Sequence, residues 1–260
     1  MEWGISLLNT DTRDIPITHL RSSNRLPNGG FIESDQEVFE NHFLDIGAHQ
    51  GESIAGFTEY LRYYNIKHKY SITCFEPSRQ AQIWAPLTHT AIRFQNHYQS
   101  VHISNFAVSS QTGFAIFRDD GSAGSTLHEQ KPLNRNCDET MVPTVDINQI
   151  ISALPTESKN IIVKLNIEGA EYEVLQALIN NQDNLCKITE LWLDFHGHQF
   201  PDKWKYLRKE IDIFETLNIA SINCYDVDFM SGFYNGYDVH PPLKQRLDIN
   251  NLIKAYLDLP

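Results

Sequence analysis

The sequence predicts an α/β fold with a mostly parallel central sheet and helices on both faces. Apolar, β-rich runs recur at 42–46, 71–75 and 161–165. The first and third lead through glycine into segments with apolar residues at helical spacing, and the second ends in an acid followed by proline. Strands that alternate with helices in this way build parallel sheets, and ligands then bind outside the carboxyl ends of the strands.

Residues 1–41 are polar and broken by Pro16, Pro27 and the Gly29-Gly30 pair, so they are expected to wrap the domain as an arm or lid, with the domain itself spanning 42–260. The run His42-Phe43-Leu44-Asp45-Ile46-Gly47-Ala48-His49-Gln50-Gly51-Glu52-Ser53 reads as strand, tight turn, helix, and Ile54, Phe57, Leu61 and Tyr64 give that helix its apolar face. Gly47 and Gly51 let a ligand lie against bare backbone, Ala48 between them included, because glycine has no Cβ and accepts dihedrals that other residues resist. Asp45, just before the first glycine, would repel a pyrophosphate and suits a ligand carrying an ammonium or sulfonium. The Gly-x-Gly-x-x-Gly of a dinucleotide site is absent. S-adenosylmethionine therefore fits this turn better than NAD.

Ser71-Ile72-Thr73-Cys74-Phe75-Glu76-Pro77 is the second strand, and Glu76 lies 31 positions after Asp45. An acid at the tip of the second strand is placed to accept both ribose hydroxyls; the alternative is a surface carboxylate that starts the next helix, where it favours the positive end of the dipole. Residues 101–108 read as a third strand, which brings Asn105, Phe106 and Ala107 beside an adenine. Gln111-Thr112-Gly113 then turns into a short strand at 114–117. A lengthy connection runs from Arg118 to about Met141, and its Asp119-Asp120-Gly121-Ser122-Ala123-Gly124-Ser125-Thr126 stretch is either a lid that contacts substrate through Ser122 and Ser125 or a disordered surface excursion. Asp146 is expected to cap a short helix through Ile147, Ile150 and Ile151.

Ile161-Ile162-Val163-Lys164-Leu165-Asn166-Ile167-Glu168-Gly169-Ala170-Glu171 is a buried strand followed by a helix through Val174, Leu175 and Leu178. Together with Phe-Leu-Asp-Ile-Gly-Ala-x-x-Gly, Phe-Glu-Pro, Asn105-Phe106-Ala107-Val108-Ser109 and Val142-Pro143-Thr144-Val145-Asp146, this block resembles the FkbM-type S-adenosylmethionine-dependent methyltransferases over residues 40–200. The resemblance implies a Rossmann-like class I methyltransferase fold of about seven strands. It also implies methylation of a hydroxyl on a sugar, polyketide or other natural product, with Asp45, Gly47, Gly51 and Glu76 on the cofactor. Where the family usually has Lys-x-Asp-x-Glu-Gly-Ala-Glu, this chain has Asn166 in the aspartate position. An amide still donates and accepts hydrogen bonds to cofactor or substrate, but it cannot serve as a base.

Residues 188–196 read as a fifth strand ending at Asp194 and His196, followed by a helix with Trp204, Leu207, Ile211, Phe214 and Leu217 on one face. A further strand is expected at 220–227, an antiparallel last one before about Val239, and a final helix capped by Asp248. Asp45, Glu76, Asn105, Asn166, Glu168, Asp194 and His196 would all meet at one edge. Methyl transfer needs alignment and exclusion of water, and a hydroxyl acceptor must also lose its proton. His196 is the expected base, with Asp194 orienting it or touching substrate; a hydrogen-bonded structural histidine is the alternative. Glu168 is expected to contact substrate, and Glu171 to brace the turn. His49 is expected to be a cofactor contact or exposed. His196-x-His198 is a poor metal pattern, and no metal is expected.

With 33 acidic and 21 basic side chains the formal charge is −12, which argues against nucleic acid and against anionic membrane surfaces. The expected partner is a small-molecule or peptide acceptor; no motif encodes its identity or the oligomeric state. Cys74, Cys137, Cys186 and Cys224 form no Cys-x-x-Cys pair and read as reduced thiols. No apolar run is long enough to span a bilayer, so a soluble cytoplasmic protein is expected. N-methylation of a peptide or amino-sugar nitrogen, and a cofactor-binding interaction protein without turnover, are the competing readings.

Overall fold

The computed structural model describes residues 41–129, 131–132, 137–223 and 228–231. In chain order the elements are β1 (Asn41–Ile46), α1 (Glu52–Tyr63), β2 (Ser71–Phe75), α2 (Ala81–Phe94), β3 (Ser100–Ser104), β4 (Ala107–Ser109), β5 (Gly113–Asp119) and β6 (Asp138–Asp146). They continue with α3 (Ile147–Ser152), β7 (Asn160–Leu165), α4 (Glu171–Ile179), α5 (Gln182–Leu185), β8 (Glu190–Leu193), α6 (Lys203–Asn223) and β9 (Asp228–Ser231). The main sheet has six strands in the order β3-β2-β1-β7-β8-β9, and every neighbouring pair is parallel. The chain therefore winds outward from β1 in one direction and, after β3, outward from β7 in the other. The switch between them lies at the β1–β7 pair, where open α/β sheets bind ligands.

The period of two along each strand sends alternate side chains to opposite faces. Leu44 and Ile46 of β1 join Ile161, Val163 and Leu165 of β7 in a core covered by α3, α4 and α6. Phe43 of β1 and Ile162 of β7 point the other way, into a core with Ile54, Phe57 and Leu61 of α1 and Leu87 of α2. Phe57 stacks on Phe43 with ring centroids 4.1 Å apart and meets Trp192 of β8 edge-on. Both faces are thus filled by helices, as the near-continuous apolar runs require.

Beside this frame lies a second sheet of three strands, β4-β6-β5, in which β4 runs parallel and β5 antiparallel to β6. The expected single strand at 101–108 is therefore two strands in two sheets. Pairing of β3 with β2 ends at Phe75 and Ser104, the Glu76 N–H closes onto the Ser104 carbonyl at 2.9 Å, and the chain crosses to the small sheet through Asn105 and Phe106. The connection expected from Arg118 to Met141 is shorter than its sequence suggested, because β5 continues to Asp119 and β6 begins at Asp138.

Asp146 caps α3, its Oδ1 accepting from the Asn148 N–H at 2.8 Å. Strand β8 stops at Leu193, so Asp194 and His196 stand in the connection beyond it, and their side chains are not fixed by strand alternation. Residues 220–223, expected in a strand, close α6, and β9 lies parallel to β8. Asn41, expected in the arm, opens β1, and β9 occupies the start of the stretch expected to hold an antiparallel last strand but is parallel; residues 1–40, the rest of that stretch and the helix after Asp248 lie outside the described residues. Cys186 is disulfide-bonded, against the expectation of four reduced thiols, while Cys74 and Cys137 are free. No described helix is long and apolar enough to cross a membrane.

Candidate functional site

A cleft of about 650 Å³, its open mouth included, lies at the carboxyl ends of β1, β2 and β7. Gly47, Glu76, Asn166 and Glu168 border it from the main sheet, Ala107 and Phe117 from the small sheet, and Ser122 and Ser125 from the loop after β5. Most of the residues that the sequence nominates as ligand contacts thus meet in one space. Asp45, Ala48, Gly51, Asn105, Asp194 and His196 do not border it, and Gly51 instead packs against Leu87 and Thr90 of α2.

The turn after β1 explains its glycines. Gly47 has φ +82, and its N–H and that of Ala48 both donate to the Phe75 carbonyl, at 3.0 and 3.1 Å. A Cβ at Gly47 would lie 1.8 Å from the Asn166 carbonyl oxygen, so the turn packs backbone on backbone against the end of β7. Gly51, with φ +88, starts α1. His49 between them also has positive φ and borders the cleft. Its Nδ1 is 3.0 Å from Glu52 Oε1; burial works against the imidazolium, yet Glu52 outweighs it and raises the His49 pKa.

Glu76 stands at the tip of β2 with its two carboxylate oxygens held apart by backbone donors. Oε2 accepts from the His49 N–H and Oε1 from the Ser78 N–H, each at 2.8 Å. Burial raises its pKa, and the two backbone donors only partly offset this. Each oxygen keeps a lone pair for a ligand in the cleft, which borders the side chain.

Asp45 needs correction as a direct ligand contact. It is 0% exposed, and its Oδ1 lies 3.0 Å from Lys164 Nζ, which also donates to the Gly47 carbonyl at 2.5 Å. Asp45 and Lys164 are register partners on β1 and β7, which places them side by side on one face of the sheet. The carboxylate thus braces the turn from beneath. Ala48, 1% exposed, packs into the α1–α2 core, and Asn105 sits in the crossing between sheets; neither touches the cleft.

A chain of buried charges lies along the far wall. His196 Nε2 is 3.0 Å from Glu168 Oε1, and its Nδ1 is 3.0 Å from Glu171 Oε1. Burial disfavours the imidazolium, but Glu171 and Glu168 overcome this and push the pKa up to about 10. His196 is therefore a clamped cation at neutral pH with no nitrogen left to accept a proton, and the expectation that it acts as base is corrected. Asp194 does not orient it; Glu168 and Glu171 do. Instead, Asp194 Oδ2 accepts from Asn166 Nδ2 at 3.4 Å, and burial raises its pKa.

Glu171 holds the turn before α4, accepting from Ile167 N–H and Gly169 N–H at 2.9 and 2.7 Å. Glu168, at φ +59, also pairs with Lys131. Burial alone would raise the Glu168 pKa, but His196 and Lys131 hold it below the usual carboxylate range.

Lys131 and Lys164, 2% and 3% exposed, were not singled out in the sequence. Lys164 leaves a signal, a charge inside an apolar strand that requires a counter-ion. Lys131 leaves none, since its partner lies 37 positions away and its neighbours are polar. Among the described residues, no group of three or more His, Cys, Asp and Glu side chains could hold a metal ion.

The Methyltransferase FkbM domain model matches residues 45–215. The chain belongs to the FkbM methyltransferase family. That span contains every described residue that borders the cleft. Among solved structures, the chain is similar to methyltransferase FkbM from Methylobacillus flagellatus KT, at 19% identity and a TM-score of 0.35. The match covers 57% of this chain and 30% of that one, so the chain spans under a third of that relative's length. No curated protein matches the chain.

Proposed function

We propose that this FkbM-family protein transfers a methyl group from S-adenosylmethionine to a hydroxyl of a small molecule such as a sugar or polyketide. The observation that carries the reading is Glu76, a buried carboxylate at the tip of β2, presented to a cleft that reaches the Gly47 turn at the strand-order switch. Its free lone pairs suit two ribose hydroxyls. The turn at Gly47 exposes backbone to the cleft without a side chain, as a tightly held amino-acid portion requires. Ala107 and Phe117 offer an apolar wall for a purine. When bound, S-adenosylmethionine supplies an electrophilic methyl carbon, and the protein's own contribution is placement and dryness.

Glu168 is the carboxylate that meets the acceptor. Held ionised by His196 and Lys131, it accepts a hydrogen bond from a hydroxyl or an ammonium and fixes its direction. Asn166, tied to Asp194 through its amide nitrogen, offers its oxygen to the same space. Ser122 and Ser125 close the cleft from above.

One observation favours a second reading: Glu168, the carboxylate set towards the acceptor, is lowered, and His196 behind it is held between two carboxylates, so neither is poised to take a proton. A peptide or amino-sugar nitrogen needs less basic assistance than a hydroxyl.

Calorimetry with S-adenosylmethionine, S-adenosylhomocysteine and NAD tests the cofactor. Both sulfur ligands are expected to bind, and Glu76→Ala to weaken both by roughly 10- to 100-fold, the loss of a pair of charge-assisted hydrogen bonds. Binding of NAD alone overturns the reading. Turnover on matched hydroxyl and amine acceptors separates the two readings of the acceptor.

A further inference from the structure

Among the described residues, three other than glycine have positive φ: His49 (+45), Asn65 (+53) and Glu168 (+59). Asn65 lies just past the end of α1, where this conformation commonly closes a helix. His49 and Glu168 both border the cleft. Holding a side chain in this backbone region costs energy, and such outliers gather at ligand sites. Glu168 is fixed there by His196 and Lys131. At His49 the turn uses the backbone N–H, bonded to Glu76 Oε2, but has no need of the ring.

That ring is nevertheless oriented. Its Nδ1 lies 3.0 Å from Glu52 Oε1, and the other Glu52 oxygen accepts from the Gln50 N–H at 3.1 Å, so the carboxylate is itself pinned at the start of α1. No described residue bonds His49 Nε2, and 25% of the side chain is exposed. An ionised Glu52 accepts only, and it draws the Nδ1 hydrogen in the neutral ring as well as in the charged one; Nε2 therefore carries a hydrogen only while the ring is protonated. Glu76 beside it, when ionised, also accepts only. Two ribose hydroxyls can donate to that carboxylate, and their oxygens then lack a donor of their own.

We propose that His49 completes the ribose end of the cofactor site: its Nε2–H donates to a ribose oxygen whose hydroxyl hydrogen goes to Glu76, and Glu52 is the positioning residue that aims the ring. This rests on the S-adenosylmethionine reading and adds to it a contact that depends on pH. The charges that face the ring are Glu52 from α1, Glu76 beyond β2 and Lys164 from β7. Burial and Lys164 oppose the imidazolium, but Glu52 and Glu76 outweigh them, so the Nε2 hydrogen persists above the ordinary value of 6.5 and is lost as the pH rises further. Once it is lost, Nε2 turns a lone pair towards the ribose oxygen and binding weakens.

Calorimetry on the full chain between about pH 6.5 and 9 tests this with S-adenosylhomocysteine and with 5′-methylthioadenosine, which has the adenine and ribose but no titrating amino-acid portion. Wild-type affinity for 5′-methylthioadenosine should fall roughly 10-fold or more across that range, the worth of a hydrogen bond from a charged group. His49→Asn tolerates positive φ and keeps the backbone N–H on Glu76; it should bind more weakly by that factor at the lower pH and show no such fall. Glu52→Gln keeps the ring without its counter-charge and should move the fall to lower pH. With the 2′-deoxy and 3′-deoxy forms of the nucleoside, the difference between His49→Asn and the wild type should vanish for one of the two. A wild type that binds S-adenosylhomocysteine while His49→Asn matches it for both ligands at every pH overturns the proposal and leaves the cofactor reading standing. A loss that is the same at every pH also overturns it, since a ring that only packs would give that. A wild type that binds neither ligand overturns both.

Discussion

Gly47 has no space for a side chain and the wrong φ for one. Its added Cβ would sit inside the Asn166 carbonyl, and that carbonyl belongs to the end of β7 and cannot swing away as a flexible side chain would. Gly47→Ala is expected to cost about 3 kcal/mol of stability, read from denaturant unfolding, because backbone strain and a backbone clash add. Beneath the same turn, Asp45 and Lys164 neutralise each other at full burial. Lys164→Met leaves the carboxylate uncompensated and should cost about 3–5 kcal/mol. Asp45→Asn combined with Lys164→Met should recover most of that loss, since no buried charge remains. If the double variant is as unstable as the sum of the singles, the pair is not what holds the turn. At this scale the sequence made the glycines legible, because a Gly-x-x-x-Gly after a strand has few other uses. It left the direction of Asp45 hidden, because the lysine beside it arrives 119 residues later through the order of strands.

The loop after β5 is held at both ends. Arg118 Nη1 donates to the carbonyls of Glu129 and Lys131, each at 2.9 Å. Thr126 Oγ1 donates to the Glu168 carbonyl at 2.6 Å, and Lys131 Nζ bridges the Gly124 carbonyl, at 3.1 Å, to the Glu168 carboxylate. Within it, Asp119 accepts from Ser78 Oγ at 2.7 Å and from Gly121 N–H at 3.0 Å, so β2 and β5 are also stitched together. A polar segment with this many partners forms a hydrogen-bonded roof at the cleft over residues 119–129. Lys131→Met should loosen the roof while the fold stays intact, because His196 still neutralises Glu168. Amide exchange across 119–128 is expected to quicken by roughly 10- to 100-fold, with little change in α4 or β7. Equal acceleration in both places would show that Lys131 holds the whole domain and not the roof.

The strands of the main sheet were legible because burial on both faces writes them as apolar runs. Strand β6 was not, since Pro143 interrupts it and its outer face carries exposed Met141. The break between β3 and β4 was hidden because both sides are β-rich, and only the switch of sheet separates them.

For the molecule as a whole, the buried titrating groups fall into two sets with opposite consequences for pH. His196 binds its proton more tightly when folded, with a pKa of about 10 against an ordinary value of 6.5. Its contribution is therefore complete below pH 6.5 and is lost as the pH rises towards 10. His49, also raised, adds to this alkaline decline. Glu168 and Glu52 are lowered, so their contributions are present above the ordinary carboxylate value and vanish as the pH falls through their folded values. Glu76 and Asp194 are raised by burial and act in the opposite sense, disfavouring the folded state where they ionise and favouring it as they take up protons. On the acid side the two carboxylate sets partly cancel; on the alkaline side the histidines add. Unfolding free energy is thus expected to fall between pH 6.5 and 9 by a few kcal/mol, the size of a pKa displacement of this kind. His196→Gln should be less stable than the wild type at pH 6.5 by a similar amount, and its curve should be nearly flat up to pH 9. The two curves then converge as the wild-type imidazolium gives up its proton. Parallel curves across that range would show that Glu168 and Glu171 do not hold the charge on His196, and with it would go the reason for removing His196 from the role of base.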